Sequence, residues 1–223
     1  MTKISDVIKD LKKSQSATYH RGKSWEHCYE FFRNYRKFRN NDELLDCAAL
    51  HLGFFLASWG MLRGSSFLLQ KDYKFYVSLI KILIDPKYDR LWNFDFSEKS
   101  IKQNIVLLFN LKEKLRKKII ENNKADEDNK EHQTDLIITK ITMATMGCTP
   151  SYDRYLKEGL RKMGRGLDNF NENSFKNLFK LSKKNEELLK IYKKVIFIKG
   201  SKIKYPPMKL LDLYFWLLGQ PKN

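Results

Sequence analysis

The chain has 223 residues, 42% hydrophobic and 13% aromatic, enough apolar mass for a packed core and too much for a disordered chain. Its 43 Lys and Arg against 26 Asp and Glu give a formal charge of +17, which favours polyanionic partners, nucleic acid first and an anionic membrane surface second. No apolar run reaches the roughly 18 residues of a membrane-crossing helix, MTKISDVIKDLKK lacks a secretory core, and the 3 irregularly spaced cysteines make no disulfide framework, so a cytoplasmic location is expected.

Helical periodicity dominates. Ile4, Val7, Ile8 and Leu11 share one stripe and predict a first helix. Residues 20–23 are polar and loop-like. Ser24 is read as the cap of a second helix, WEHCYEFFRNYRKF. Trp25, Tyr29, Phe31 and Phe32 make its aromatic face, and Arg33, Arg36, Lys37 and Arg39 its basic face. Asn41-Asp42 opens a third helix, 43–59, which is apolar almost all round and therefore central. Gly60 and Gly64 bracket a turn, and a helix is expected over 66–84, ending before Asp85-Pro86. Residues 87–97 read as an irregular loop pinned by Tyr88, Leu91, Trp92, Phe94 and Phe96. A helix over 101–122 ends in Lys and Arg, and NNKADEDNKEHQ (122–133) is the expected exposed loop.

The chain is organised around 134–160, TDLIITKITMATMGCTPSYDRYLKEGL. A helix over 135–146 runs into Gly147, a stop signal that Pro150 reinforces. Ser151 is placed as the cap of the next helix and Asp153 in its first turn, beside free backbone N–H groups. Gly164-Arg165-Gly166 marks a break, and 171–173 caps a helix over 174–181. Residues 185–198 read as helix, with a hairpin around Gly200-Ser201 as the alternative. Pro206-Pro207 precedes a last helix, MKLLDLYFWLLG. The expected fold class is all-α, a compact bundle of about eight to ten helices forming a single two-lobed domain over 1–223.

Two stretches, LHLGFFLASWGMLRGSSFLLQ (50–70) and the helix–Gly–turn–Asp–helix segment above, together resemble the core of the helix-hairpin-helix (HhH-GPD) DNA glycosylases over about residues 44–165. The resemblance implies a base-flipping enzyme that excises a modified or damaged base and leaves an abasic site. It implies Asp153 as the catalytic carboxylate, stabilising positive charge on the sugar or activating a nucleophile. It offers Lys140 as the amine that strand-cleaving members add, which attacks C1′ and forms a Schiff base. It places the turn after the first helix in the minor groove, with Trp59, Met61, Leu62, Arg63 and Ser65 as DNA contacts, and makes Tyr152 and Arg154 contacts beside Asp153. The helix register resembles the archaeal 8-oxoguanine type. Prokaryotic relatives suggest either oxidised or deaminated bases, or hypermodified phage pyrimidines removed in phage defence.

The residues by themselves allow plainer readings. An Asp in a first helical turn is ordinary, Trp59 and Met61 suit a core turn, and Lys140 is equally a snorkelling or phosphate-binding side chain. Where the family has a Gly-rich hairpin, this chain has KADEDNKEHQTD, so DNA anchoring must differ. No iron–sulfur cysteine cluster follows, and no cofactor is expected. His27, Cys28, Cys47 and His51 could be drawn as a zinc site, but Cys is a common core residue and no metal is expected. His132 is expected in solvent, as are the basic face around Arg33 and the tail 193–209, which also offer phosphate contacts. The expected partner is double-stranded DNA, with no membrane and a monomeric chain. The rival reading is a non-catalytic basic helical nucleic-acid-binding protein of a defence or toxin–antitoxin system, and the third is a membrane-surface or protein-interaction bundle.

Overall fold

A computed structural model describes residues 2–35, 41–64, 66–94, 97–123 and 131–221. Among these, ten α-helices follow one another: α1 (Ile4–Ser16), α2 (Gly22–Tyr35), α3 (Asp42–Ser58), α4 (Val77–Leu83), α5 (Glu98–Asn122), α6 (Glu131–Thr145), α7 (Arg154–Met163), α8 (Glu172–Lys184), α9 (Glu186–Lys193) and α10 (Pro207–Gly219). Three 3-10 segments, Phe67–Gln70, Tyr73–Tyr76 and Pro86–Asn93, lie between α3 and α5. The β pairing among the described residues is one antiparallel bridge, Phe197 with Lys204. The chain is therefore an all-α, multi-helix bundle. No described helix is long and apolar enough to cross a membrane.

The caps explain most boundaries. Asn41 Oδ1 accepts from Leu44 N–H at 3.0 Å, Asn171 Oδ1 from Ser174 N–H at 2.9 Å, and Asn185 Oδ1 from Leu188 N–H at 3.1 Å, starting α3, α8 and α9. Ser24 is not a cap: α2 already starts at Gly22, and the Ser24 hydroxyl turns back to Arg21 O at 2.7 Å. The single helix expected over 66–84 is broken, because Asp72 caps a new turn by accepting from Lys74 N–H at 2.8 Å. The loop expected over 87–97 is in large part the 3-10 segment that Asp85 opens by accepting from Lys87 N–H at 2.9 Å. It buries Tyr88, Leu91 and Trp92 from one side, a spacing that an irregular loop also shows. At 185–198 both expected forms are present, helix through Lys193 and then the bridged turn.

The centre of the molecule is the second half of α6 and the turn after it. Every residue from 137 to 152 is buried, and α6 packs on α2, α3 and α5. Three threonines keep that polar backbone satisfied. Thr142 and Thr145 donate to the carbonyls of Ile138 and Ile141 at 2.9 and 2.8 Å, while Thr139 donates out of the helix to Ser151 O at 2.6 Å.

Helices α7 and α10 approach until their backbones touch. A Cβ placed on Gly159 would lie 1.9 Å from Phe215 O, and one on Gly219 would lie 1.8 Å from Tyr155 O. This contact sets α10 against the start of α7. Helix propensity alone favours Ala over Gly by about 1 kcal/mol, but the overlap reverses the sign. Gly159→Ala is expected to destabilise by about 1–3 kcal/mol, read as a fall in Tm of roughly 2–4 °C per kcal/mol in a thermal melt; an unchanged or raised Tm would show that the two helices separate freely.

Candidate active site

The turn between α6 and α7 is stitched to its surroundings at each step. Gly147 takes φ +67, and a Cβ there would meet Pro206 Cγ at 2.5 Å, so both conformation and space require glycine. Thr149 Oγ1 pairs with Thr142 Oγ1 at 2.7 Å. The Ser151 N–H and hydroxyl both donate to Asp212 Oδ1 of α10, at 2.8 and 2.7 Å. Tyr152 then takes φ 49, the sole non-glycine positive φ among the described residues. A left-handed residue with a Cβ persists only where its neighbours hold it. Here the Tyr152 ring is buried against Phe170, with centroids 5.2 Å apart.

That geometry delivers Asp153 as the cap of α7. Its Oδ1 accepts from Leu156 N–H at 3.0 Å, and its Oδ2 faces Lys140 Nζ at 3.5 Å. Asp153, not Ser151, is the N-cap; Ser151 is engaged with α10. The Lys140 side chain is 5% exposed and the Asp153 side chain 20%. Burial pulls Lys140 below its ordinary 10.5; Asp153 and Asp212 oppose the shift, and Lys209 adds to it. The amine is thereby more available as a base or nucleophile than an exposed lysine.

A second buried ion pair adjoins the first. Lys209 Nζ lies 3.0 Å from Asp212 Oδ2, with side chains 4% and 7% exposed. Burial raises the Asp212 carboxyl, but Lys209 and the two Ser151 bonds outweigh it, so Asp212 sits below its ordinary 3.8. Two tryptophans complete the group. Lys209 Nζ stands 5.3 Å from the Trp25 ring centroid and 5.1 Å from that of Trp59, and Lys140 Nζ stands 5.5 Å from Trp59. The Arg21 guanidinium lies 4.8 Å from the Trp59 ring centroid, and Trp59 Nε1 donates to Ser24 Oγ at 3.2 Å. Cationic groups over an indole face are held by its quadrupole.

These residues surround a cavity of about 90 Å³ that opens toward exposed His20 and Arg21. Trp25, Trp59, Asp153, Tyr205, Lys209 and Asp212 line it, with α1 contributing Asp10, Leu11 and Ser14. Lys140 is not in the lining; it sits behind Asp153 and Trp59. The available chemistry is a partly exposed carboxylate, two buried amines and aromatic faces.

The structure brings together Asp153, Lys140 and Trp59 and sets other expected site residues apart. Met61 is buried and cannot wedge a base stack; its side chain belongs to the core, as does that of Tyr152. Leu62 is half-buried against the same core. Arg63 is exposed and folds back over Gly60, while Arg154 is exposed and lies 5.9 Å from the Tyr155 ring centroid. Ser65, Arg36, Lys37 and Arg39 lie outside the described residues. Within the tail 193–209, Lys209 is buried rather than solvated. The expected exposed loop 122–133 gives way to α5 and α6 at its two ends, and residues 124–130 lie outside the described residues. The His27 and His51 rings are tilted to each other with centroids 4.9 Å apart, but Cys28 is buried and Cys47 is exposed, and no group of three or more metal-ligating side chains occurs among the described residues.

Sequence reasoning missed Trp25, Lys209 and Asp212 as site residues. Their signal was present: Lys and Asp three apart in an otherwise apolar final helix are a ready-made buried pair. No protein-family model, curated protein or solved structure matches this chain.

The two ion pairs are expected to respond oppositely to mutation. Asp212→Asn leaves Lys209 buried without its counter-charge and strips Ser151 of an ionised acceptor, at a cost of about 3–5 kcal/mol. Lys140→Met removes a desolvated ammonium and leaves Asp153 its cap bond and its access to water, so stability at neutral pH is not lowered. Because the folded Lys140 pKa lies below 10.5, the unfolded chain binds more protons between the two values. Wild-type stability therefore gains from Lys140 as pH rises through that window. Asp212 acts at the acid end, its contribution complete above 3.8 and lost as pH falls through the depressed folded value. Denaturant melts of the three proteins between acid and alkaline pH check both; a large loss for Lys140→Met at neutral pH would contradict this assignment.

Proposed function

We propose that the chain is a DNA glycosylase that removes a modified or damaged base and leaves an abasic site. The observation that carries the reading is the meeting of Asp153 and Lys140, 3.5 Å apart, at the wall of a tryptophan-lined cavity. Each residue was singled out by its place in the segment 134–160, and the pair adjoins the very indole, Trp59, that the other resembling stretch supplies.

The chemistry follows from the groups. A base turned out of a duplex needs an aromatic face to replace lost stacking, and the Trp25 and Trp59 rings border the cavity. As the glycosidic bond breaks, its electron pair leaves with the base, and C1′ becomes electron-poor. The Asp153 carboxylate, held by a helix N-terminus and 20% exposed, supplies the compensating negative charge. Water then adds to C1′, with its proton passing to Asp153. Where Lys140 adds instead, its neutral amine forms a C1′–N bond as the base departs, and the C1′–O4′ bond then breaks, O4′ taking the electron pair and a proton, to leave a protonated Schiff base. In that branch Trp59 must swing aside, because Lys140 lies behind it. Duplex DNA is the partner this chemistry implies, and the +17 charge is consistent with a polyanion.

A second reading, a non-catalytic nucleic-acid-binding protein of a defence or toxin–antitoxin system, draws on one observation. Lys140 lies behind the cavity lining, where a purely structural ion pair would also sit.

The test is incubation of the protein with genomic DNAs carrying different modifications, glucosylated phage DNA included, scored for abasic sites with and without alkali. Wild type is expected to produce them on one DNA class, and Asp153→Asn, folded, to lose on the order of a hundredfold or more in rate. Equal rates would remove Asp153 from the chemistry. No product on any DNA, with binding retained, would favour the second reading.

A further inference from the structure

A second concavity, of about 430 Å³, lies beside the bridged turn at Phe197 and Lys204, and Tyr205 borders both it and the cavity above. Its lining contains five cationic side chains, Arg33, Lys193, Lys194, Lys202 and Lys204, and no carboxylate. Some cations elsewhere sit against acids: half-buried Lys118 with Glu121, and exposed Lys176 with Glu172, Lys190 with Glu186 and Arg161 with Asp168. Among the described residues the four groove lysines have no such partner, and each is exposed. Arg33 is oriented by neutral groups, the Trp92 carbonyl and Asn93 Oδ1 at 3.2 Å. Like charges converge here without internal compensation, which costs free energy in the isolated protein and is recovered when a polyanion binds.

Apart from Asn93, the rest of the lining is apolar or aromatic. Phe94 and Tyr192 are half-buried there, beside Ile203 and Pro207. Just outside it Phe197 is 48% exposed and carries Lys204 Nζ 5.8 Å from its ring centroid, and Val195 of the lining is 55% exposed. Lysines around an aromatic floor suit a strand whose phosphates meet the cations and whose bases lie on the rings. A duplex hides its base faces and leaves the floor uncovered.

We propose that this groove binds single-stranded nucleic acid through its phosphodiester backbone and base faces. The site is separate from the Asp153–Lys140 pair and does not rest on the glycosylase reading. The two linings share only Tyr205.

The experiment is fluorescence anisotropy with a fluorescein-labelled oligothymidylate over a salt series, on wild type, Lys193→Glu/Lys202→Glu/Lys204→Glu, the matching triple Gln variant, and a control Lys180→Glu/Lys183→Glu/Lys184→Glu on α8. Thermal melts confirm folding, which exposed lysines should not disturb. The groove Glu variant is expected to lose on the order of tenfold or more in affinity, and the Gln variant to lower the salt slope by roughly 2, from about 0.7 per lost contact. The control and Asp153→Asn are expected to bind like wild type. Wild-type affinity in the groove variants would overturn the proposal, as would an equal loss in the α8 control. So would a groove-dependent preference for duplex of the same length, or for phosphatidylserine vesicles over the oligonucleotide. Loss of base excision in Asp153→Asn with oligothymidylate binding intact separates the two sites.

Discussion

The Asp212 carboxylate is the constraint on which the site depends. It is a lone acid in an apolar helix, 5% exposed, and it serves three donors: the Ser151 N–H, the Ser151 hydroxyl and Lys209. A buried carboxylate without such partners would protonate or unfold its surroundings. With them it fixes the turn that holds Tyr152 in a left-handed conformation and so aims Asp153. The glycine contact between α7 and α10 sets the distance at which these bonds form. Backbone proximity, a two-faced acid and one strained residue together determine where one further carboxylate stands.

The electrostatics follow from burial. Lys140, Lys209, Asp153 and Asp212 share a region where charge is poorly solvated, and each amine has one acid partner. The pairing is unequal. Lys209 meets its acid at 3.0 Å, Lys140 at 3.5 Å, and Asp153 divides itself between Lys140 and the helix N-terminus. The looser pair is the one beside solvent, and its amine is pulled toward neutrality by burial. The Lys209–Asp212 pair holds the turn, whereas Asp153 keeps part of its carboxylate open to solvent.

Much of this was legible in the residues. The stripe of α1, the Asn41 cap and the Gly147 stop rest on local rules that tertiary contacts did not override, whereas Ser151 yields the cap of α7 to Asp153 because Asp212 takes its N–H and hydroxyl. The run 66–84 was not legible, because apolar residues spaced three apart fit 3-10 turns as well as a helix and the Asp72 cap decides between them. Met61 and Tyr152 were read as DNA contacts from their place in a motif, whereas burial is a property of the fold and not of the motif. The pair Lys209–Asp212 faces the buried turn and the tryptophans, where Asp212 meets Ser151 and Lys209 meets Trp25 and Trp59, a surrounding set by the fold rather than by the helix's own residues.

The most direct test of the central claim is whether the site recognises the charge of the reacting sugar. Binding of wild type and Asp153→Asn would be compared on two duplexes, one carrying a cationic pyrrolidine abasic analogue and one a neutral tetrahydrofuran analogue. If Asp153 stabilises positive charge at C1′, wild type binds the cationic duplex more tightly by on the order of a hundredfold, and Asp153→Asn binds both alike. Equal binding of the two duplexes by the wild-type protein would contradict the account.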